Sequence, residues 1–112
     1  MPEPVRYPIS DLTRRSVVDA EGRKLGDVKS LECNPLTWHV DRVRVKLTHD
    51  AISRLHLERD HGLFEDRTVE VPTEFVRVQD DYLVVSEPER LIAEEYRREH
   101  GGPVDHSTLE TL

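Results

Sequence analysis

The chain has 112 residues, which leaves room for one modest core and none for a second domain. With 36% hydrophobic and 35% charged residues, and only three Tyr, two Phe and one Trp, that core must be mostly Val and Leu. The net charge of −7 opposes the phosphate neutralisation that nucleic-acid binding needs, the single Cys33 excludes an internal disulfide, and no apolar run approaches the roughly 20 residues of a membrane span.

Residues 1–11 carry Pro2, Pro4 and Pro8 and read as an extended lead-in without a basic-then-apolar leader pattern, so a cytoplasmic protein is the default expectation. Val17-Val18-Asp19 is a strand, followed by a turn at Ala20-Glu21-Gly22-Arg23 in which Gly22 supplies a positive φ. A second strand runs from Lys24 to Cys33, with a bulge or sharp bend at Gly26. After the turn signal Asn34-Pro35-Leu36-Thr37, Trp38 to Leu47 forms the clearest strand. Its Val43, Val45 and Leu47 share one face, and Arg42, Arg44 and Lys46 the other. Val40 has the wrong parity, which places a bulge near Asp41 or a bend there.

Thr48 is positioned to cap a short helix to about Arg59 with Ala51, Ile52 and Leu55 on one face, and His61-Gly62 ends it. Arg67 to Val71 alternates again, with Val69 and Val71 inward and Thr68 and Glu70 outward, and Pro72 closes that strand. Phe75–Val78 and Tyr82–Val85 flank Gln79-Asp80-Asp81 as a hairpin. Ser86-Glu87-Pro88-Glu89 has the form of a capping box, opening a helix through His100 with a Glu94–Arg98 pair, and residues 101–112 read as a flexible tail. Short strands, turns, one inserted helix and a C-terminal helix predict a mainly β fold, a small antiparallel barrel or bent sheet over residues 12–86 with the helix at 87–100.

Val17-Val18-Asp19-Ala20-Glu21-Gly22-Arg23-Lys24-Leu25-Gly26-Asp27-Val28 resembles the opening hairpin of the PRC-barrel family, "V-x-D-x-x-G-x-x-I/L-G-x-V". Trp38 to Val45 is similar to the family's third strand, and Val69-Glu70-Val71-Pro72-Thr73-Glu74-Phe75-Val76 resembles its "V-x-I/V-P-x-x-x-V". The turn Asp80-Asp81 departs from the Gly-Asp common there. In such a fold Gly22 serves the tight turn, Gly26 a close bend and Pro72 the end of ladder pairing.

No catalytic pattern emerges. His39, His49, His56, His61, His100 and His106 lack metal-ligand spacing, and there is no C-x-x-C. Cys33 reads as a small buried hydrophobe, the pairs Glu94-Glu95 and Asp80-Asp81 as solvated acids, and Gly22 and Gly26 are no phosphate loop. The expectation is a protein with no enzyme activity, metal or cofactor. Arg14-Arg15 with Arg42, Arg44 and Lys46 form a basic stripe, a charged strand face or a dock for an acidic partner. Trp38 is a core residue or an exposed hot spot. The helical stripe of Leu91, Ile92 and Tyr96 is a lid or an interface, with Phe64 as a further anchor.

The resemblance implies a stand-alone adaptor, a homodimer that binds another protein, while the net charge and the lack of a long apolar run lead us to expect neither nucleic acid nor direct membrane insertion. In size and in the stretch from Leu63 to Pro72 the chain looks like the archaeal PRC-barrel proteins of cell division that bind SepF, the FtsZ anchor. The alternative is a ribosome- or RNA-linked assembly factor resembling RimM, against which the net charge of −7 weighs.

Overall fold

A computed structural model describes residues 6–57 and 67–100. The Pro8 carbonyl accepts the Asp11 amide at 2.9 Å and starts one helical turn, α1 (Ile9–Leu12), where the proline spacing predicts extended chain. Strands β1 (Ser16–Asp19) and β2 (Lys24–Asn34) follow, joined by a turn with Gly22 at φ 85°. Next come β3 (His39–Leu47), α2 (His49–Arg54), β4 (Thr68–Pro72), a 3₁₀ turn (Thr73–Phe75), β5 (Val76–Gln79), β6 (Tyr82–Val85) and α3 (Glu89–His100). The mainly β fold with one inserted and one C-terminal helix is the one expected.

The six strands lie in the order β4-β3-β2-β1-β6-β5. Among the described residues the sheet stays open, with β4 and β5 as its edges, which is the bent sheet of the two forms expected; β1 pairs with β6 in parallel, and the other pairings are antiparallel. Hairpin β5–β6 returns to the sheet beside β1, and the 3₁₀ turn carries the chain from one edge to the other without pairing them.

Val43, Val45 and Leu47 point inward at no more than 3% exposure, as alternation predicts. Glu32 pairs with Arg42 and Cys33 with Val40, which leaves Asp41 as the extra residue of the expected bulge. A second irregularity makes Leu25 the extra residue between Val17↔Gly26 and Val18↔Lys24. Gly26 lies at this point against β3, where an added Cβ would overlap the Lys46 carbonyl oxygen and sit 2.7 Å from its carbon. Only a residue without a side chain lets the two backbones approach so closely.

Helix α2 begins as expected, with the Thr48 hydroxyl accepting the Ala51 amide at 3.0 Å. It stops at Arg54, short of Arg59. His56 takes φ 59°, its amide donates to Ser53 at 3.1 Å, and the Leu57 amide donates to Ile52 at 2.9 Å. That is a Schellman stop with histidine in the left-handed position. The predicted end at His61-Gly62 lies outside the described residues, as does the tail 101–112.

Helix α3 folds back as a lid. Ile92 and Tyr96 are 1% and 0% exposed within the same core as β1–β4 and β6, so these two expected interface residues face inward. Its capping box is not formed. Ser86 lies just past β6, donating both amide and hydroxyl to the Phe75 carbonyl of the 3₁₀ turn, and the helix starts three residues later. Arg98 pairs with Glu95 at 2.8 Å in place of Glu94.

The Asp19 carboxylate joins these parts although it is only 4% exposed. It accepts the Glu21 amide at 2.9 Å, the Arg23 amide at 2.8 Å and Arg23 Nε at 2.9 Å. Arg23 also reaches Glu89 at 3.6 Å, and Glu89 accepts from Arg54 at 3.2 Å. The β1–β2 turn, α2 and the start of α3 are thereby tied together. Burial alone would raise the Asp19 carboxyl, but hydrogen bonds from Glu89, Arg23 and Glu21 outweigh it and lower it to about 2. Glu89 moves the opposite way, through burial and the proton it shares with Asp19.

Two outcomes are expected in equilibrium denaturation. Gly26→Val loses about 1–3 kcal/mol through backbone overlap, and an unchanged midpoint refutes the close approach. Asp19→Asn loses about 1.5–3 kcal/mol at pH 7. Because the folded carboxyl is depressed from 3.8 to about 2, its contribution is present above pH 4 and is lost as pH falls through that interval. The gap between wild type and Asp19→Asn should therefore close towards pH 2, and a pH-independent gap contradicts the assignment.

Candidate functional site

Strands β2 and β3 run past the core as a ribbon. Their inward residues contribute to the core up to Leu31 and Val43, and beyond these the pairing continues through Glu32↔Arg42 to Asn34↔His39 with no buried residue. The connecting turn is held tightly. Asn34 Oδ1 accepts the Leu36 amide at 2.9 Å, and the Asn34 carbonyl accepts the Thr37 and Trp38 amides at 3.2 and 2.6 Å. Thr37 Oγ1 accepts the His39 amide at 3.3 Å.

Trp38 closes this turn at φ 60° and does not belong to the strand predicted to begin with it. Its side chain is 80% exposed and that of Leu36 is 90% exposed. Isolated surface apolar residues need no explanation, but a Trp and a Leu two positions apart on a braced, protruding turn form a preorganised anchor. Cys33 is exposed on the same arm, a correction to its reading as a buried hydrophobe, because β2 has already left the core there.

The basic stripe is largely spent within the molecule. Arg44 is paired with Glu70 and lies 3.6 Å from Glu32, and Arg42 lies 3.8 Å from Glu70. Strand pairing brings these acids beside the arginines, which weakens the case for an acidic partner on this face. Leu91 is half-buried at the margin of the α3 lid, and the predicted anchor Phe64 lies outside the described residues. Among the described residues, no three His, Cys, Asp or Glu side chains are grouped so as to hold a metal ion.

The β4 edge is covered by the end of α3. Glu99 accepts the Glu70 amide at 3.1 Å, and His100 Nε2 meets the Thr68 carbonyl at 2.7 Å while its ring lies 4.3 Å from that of Tyr96. This cover buries Thr68, which alternation places outward. Burial, then Glu95 and the charge of Glu70, push the Glu99 carboxyl up to about 7 against the lowering effect of the Glu70 amide. Sequence reasoning missed both Asp19 and Glu99. Asp19 had a local signal, an Asp three residues before a turn Gly, whereas nothing local marks Glu99.

Among known families, the PRC-barrel domain model matches residues 4–92. No curated protein matches the chain significantly.

The raised Glu99 carboxyl carries a definite sign. The folded state retains this proton between 4.5 and about 7 where the unfolded chain has lost it, so the contribution is full below pH 4.5 and disappears as pH rises through 7. Glu99→Gln, which keeps an acceptor for the Glu70 amide, should raise Tm at pH 8 and leave it nearly unchanged at pH 4. An equal Tm change at both values counts against a shifted Glu99.

Proposed function

Because the chain belongs to the PRC-barrel domain family, we propose that it works as a non-catalytic protein-interaction module, a dimeric adaptor that presents the β2–β3 arm to its partner. The observation that carries this reading is the exposure of Leu36 and Trp38 on a turn held by four hydrogen bonds. A rigid aromatic anchor loses little conformational freedom when it enters a partner's pocket, and Trp is the residue type most enriched at binding hot spots.

The partner we propose is SepF, the FtsZ anchor of the archaeal cell-division machinery. Support for it lies in the resemblance of the stretch from Leu63 to Pro72 and in the size of the chain. Self-association suits a thin-cored domain of this length and would present two arms, raising apparent affinity through effective concentration. Ile92 and Tyr96 lie in the core, so the dimer contact we propose is on the open sheet, away from the arm.

Pull-down from native cytoplasm with mass spectrometry should recover SepF and FtsZ-associated proteins; a set of ribosomal proteins would favour the RimM-like alternative. Trp38→Ala should weaken partner binding by about tenfold or more while Tm stays within experimental scatter. Binding that survives both Trp38→Ala and Leu36→Ala would refute the arm as the anchor. Light scattering at high micromolar concentration checks the dimer, and a strict monomer would remove that part of the proposal.

A further inference from the structure

The Arg14-Arg15 pair divides its labour. Arg15 is anchored, with Nε donating to the Asp11 carbonyl at 2.6 Å, Nη1 to the Asp80 carbonyl at 3.2 Å, and its guanidinium 5.5 Å from the centre of the Tyr7 ring. Arg14 instead adopts φ 70°, a left-handed conformation that a side-chain-bearing residue takes at a cost. Two backbone hydrogen bonds hold it there. The Arg14 amide donates to the Val28 carbonyl and the Val28 amide to the Arg15 carbonyl, both at 2.9 Å.

This places Arg14 at the rim of a surface cavity of about 470 Å³ lined also by Asp27, Val28, Lys29 and Lys46. A second backbone irregularity serves the same cavity. Val28 pairs with Val45 and Ser30 with Arg44, so Lys29 is the extra residue of a bulge, a device that re-aims a side chain. Lys46 comes from the facing position of β3, opposite Asp27. Three cationic residues, Arg14, Lys29 and Lys46, thus line one cavity together with Asp27, whose carboxylate also has Lys24 at 3.3 Å. The concentration of positive charge stands out on a chain whose net charge is −7.

We propose that this cavity binds the phosphate group of a small phosphomonoester. A guanidinium fork with flanking ammonium groups matches the charge and the acceptor oxygens of a phosphate dianion. The cavity volume leaves space for the organic part of the molecule. The overall acidity of the chain disfavours a nucleic-acid backbone as the source of the phosphate. This site is separate from the Leu36–Trp38 arm, so the two readings stand or fall independently.

The test is an amide-resolved NMR titration of the full chain with glucose 6-phosphate, with sodium chloride at matched ionic strength as control. Saturable shifts centred on Arg14, Val28, Lys29 and Lys46 are expected, absent in the control. Arg14→Gly preserves the left-handed backbone while removing the guanidinium, so it should keep the fold and weaken binding by about five- to tenfold. Lys46→Gln should do likewise, and Arg42→Gln, outside the cavity, should leave affinity unchanged. Non-saturating shifts, or shifts equal to those in sodium chloride, overturn the site. Equal affinity for citrate overturns the phosphate assignment, and binding of a phosphoserine peptide but not of glucose 6-phosphate overturns the small-molecule assignment.

Discussion

The buried Asp19 carboxylate is the constraint on which the arrangement of elements depends. A charge at 4% exposure is tolerable only with full hydrogen bonding, and its partners come from the β1–β2 turn itself and from Glu89 on α3. Gly22 lets the chain reverse tightly enough for both turn amides to point at one oxygen. Arg54 then extends the network from Glu89 to the Lys24 carbonyl, so one anion fixes the docking of both helices against the start of the sheet. Removing the acid would leave Arg23 and two amides facing an empty position.

The sheet divides into a packed half and an extended half. The packed half contains the Gly26 contact with Lys46 and the inward valines of β3 and β4, and α2 and α3 cover it. The extended half is the ribbon beyond Leu31 and Val43, whose backbone is satisfied by strand pairing and turn hydrogen bonds without core contacts. A recognition element benefits from this arrangement, because its side chains stay free for a partner while the scaffold holds its backbone. The long reach of Trp38 from the core comes from β2 and β3 being far longer than the core needs.

Helix α3 answers the open edge of the sheet. An exposed β4 edge would offer unpaired donors and acceptors to other strands, and Glu99 and His100 occupy two of those positions. The cover buries Glu99 and sets it beside Glu95 and Glu70, and burial first, then these neighbours, favour its protonated form.

The sequence by itself determined what depends on local period and turn chemistry. The alternation of Val43, Val45 and Leu47, the parity break at Asp41, the positive φ of Gly22 and the Thr48 cap all follow from adjacent residues, and the order of Val-Asp-Gly-Gly and Val-Pro motifs carried the family. Tertiary structure alone decided the features in which distant residues compete for one group. Ser86 fits a capping box, but its amide and hydroxyl both go to the Phe75 carbonyl and the helix begins three residues later, so Ser86 does not stand at its N-cap. Arg42 and Arg44 read as a free basic face until strand pairing brings in Glu32 and Glu70. Trp38 suits core and surface equally, and only the point at which the ribbon leaves the core settles its exposure. Ile92 and Tyr96 form an apolar stripe in either case, and the face that covers it is set by how α3 meets β4, a contact between segments over twenty residues apart in the chain.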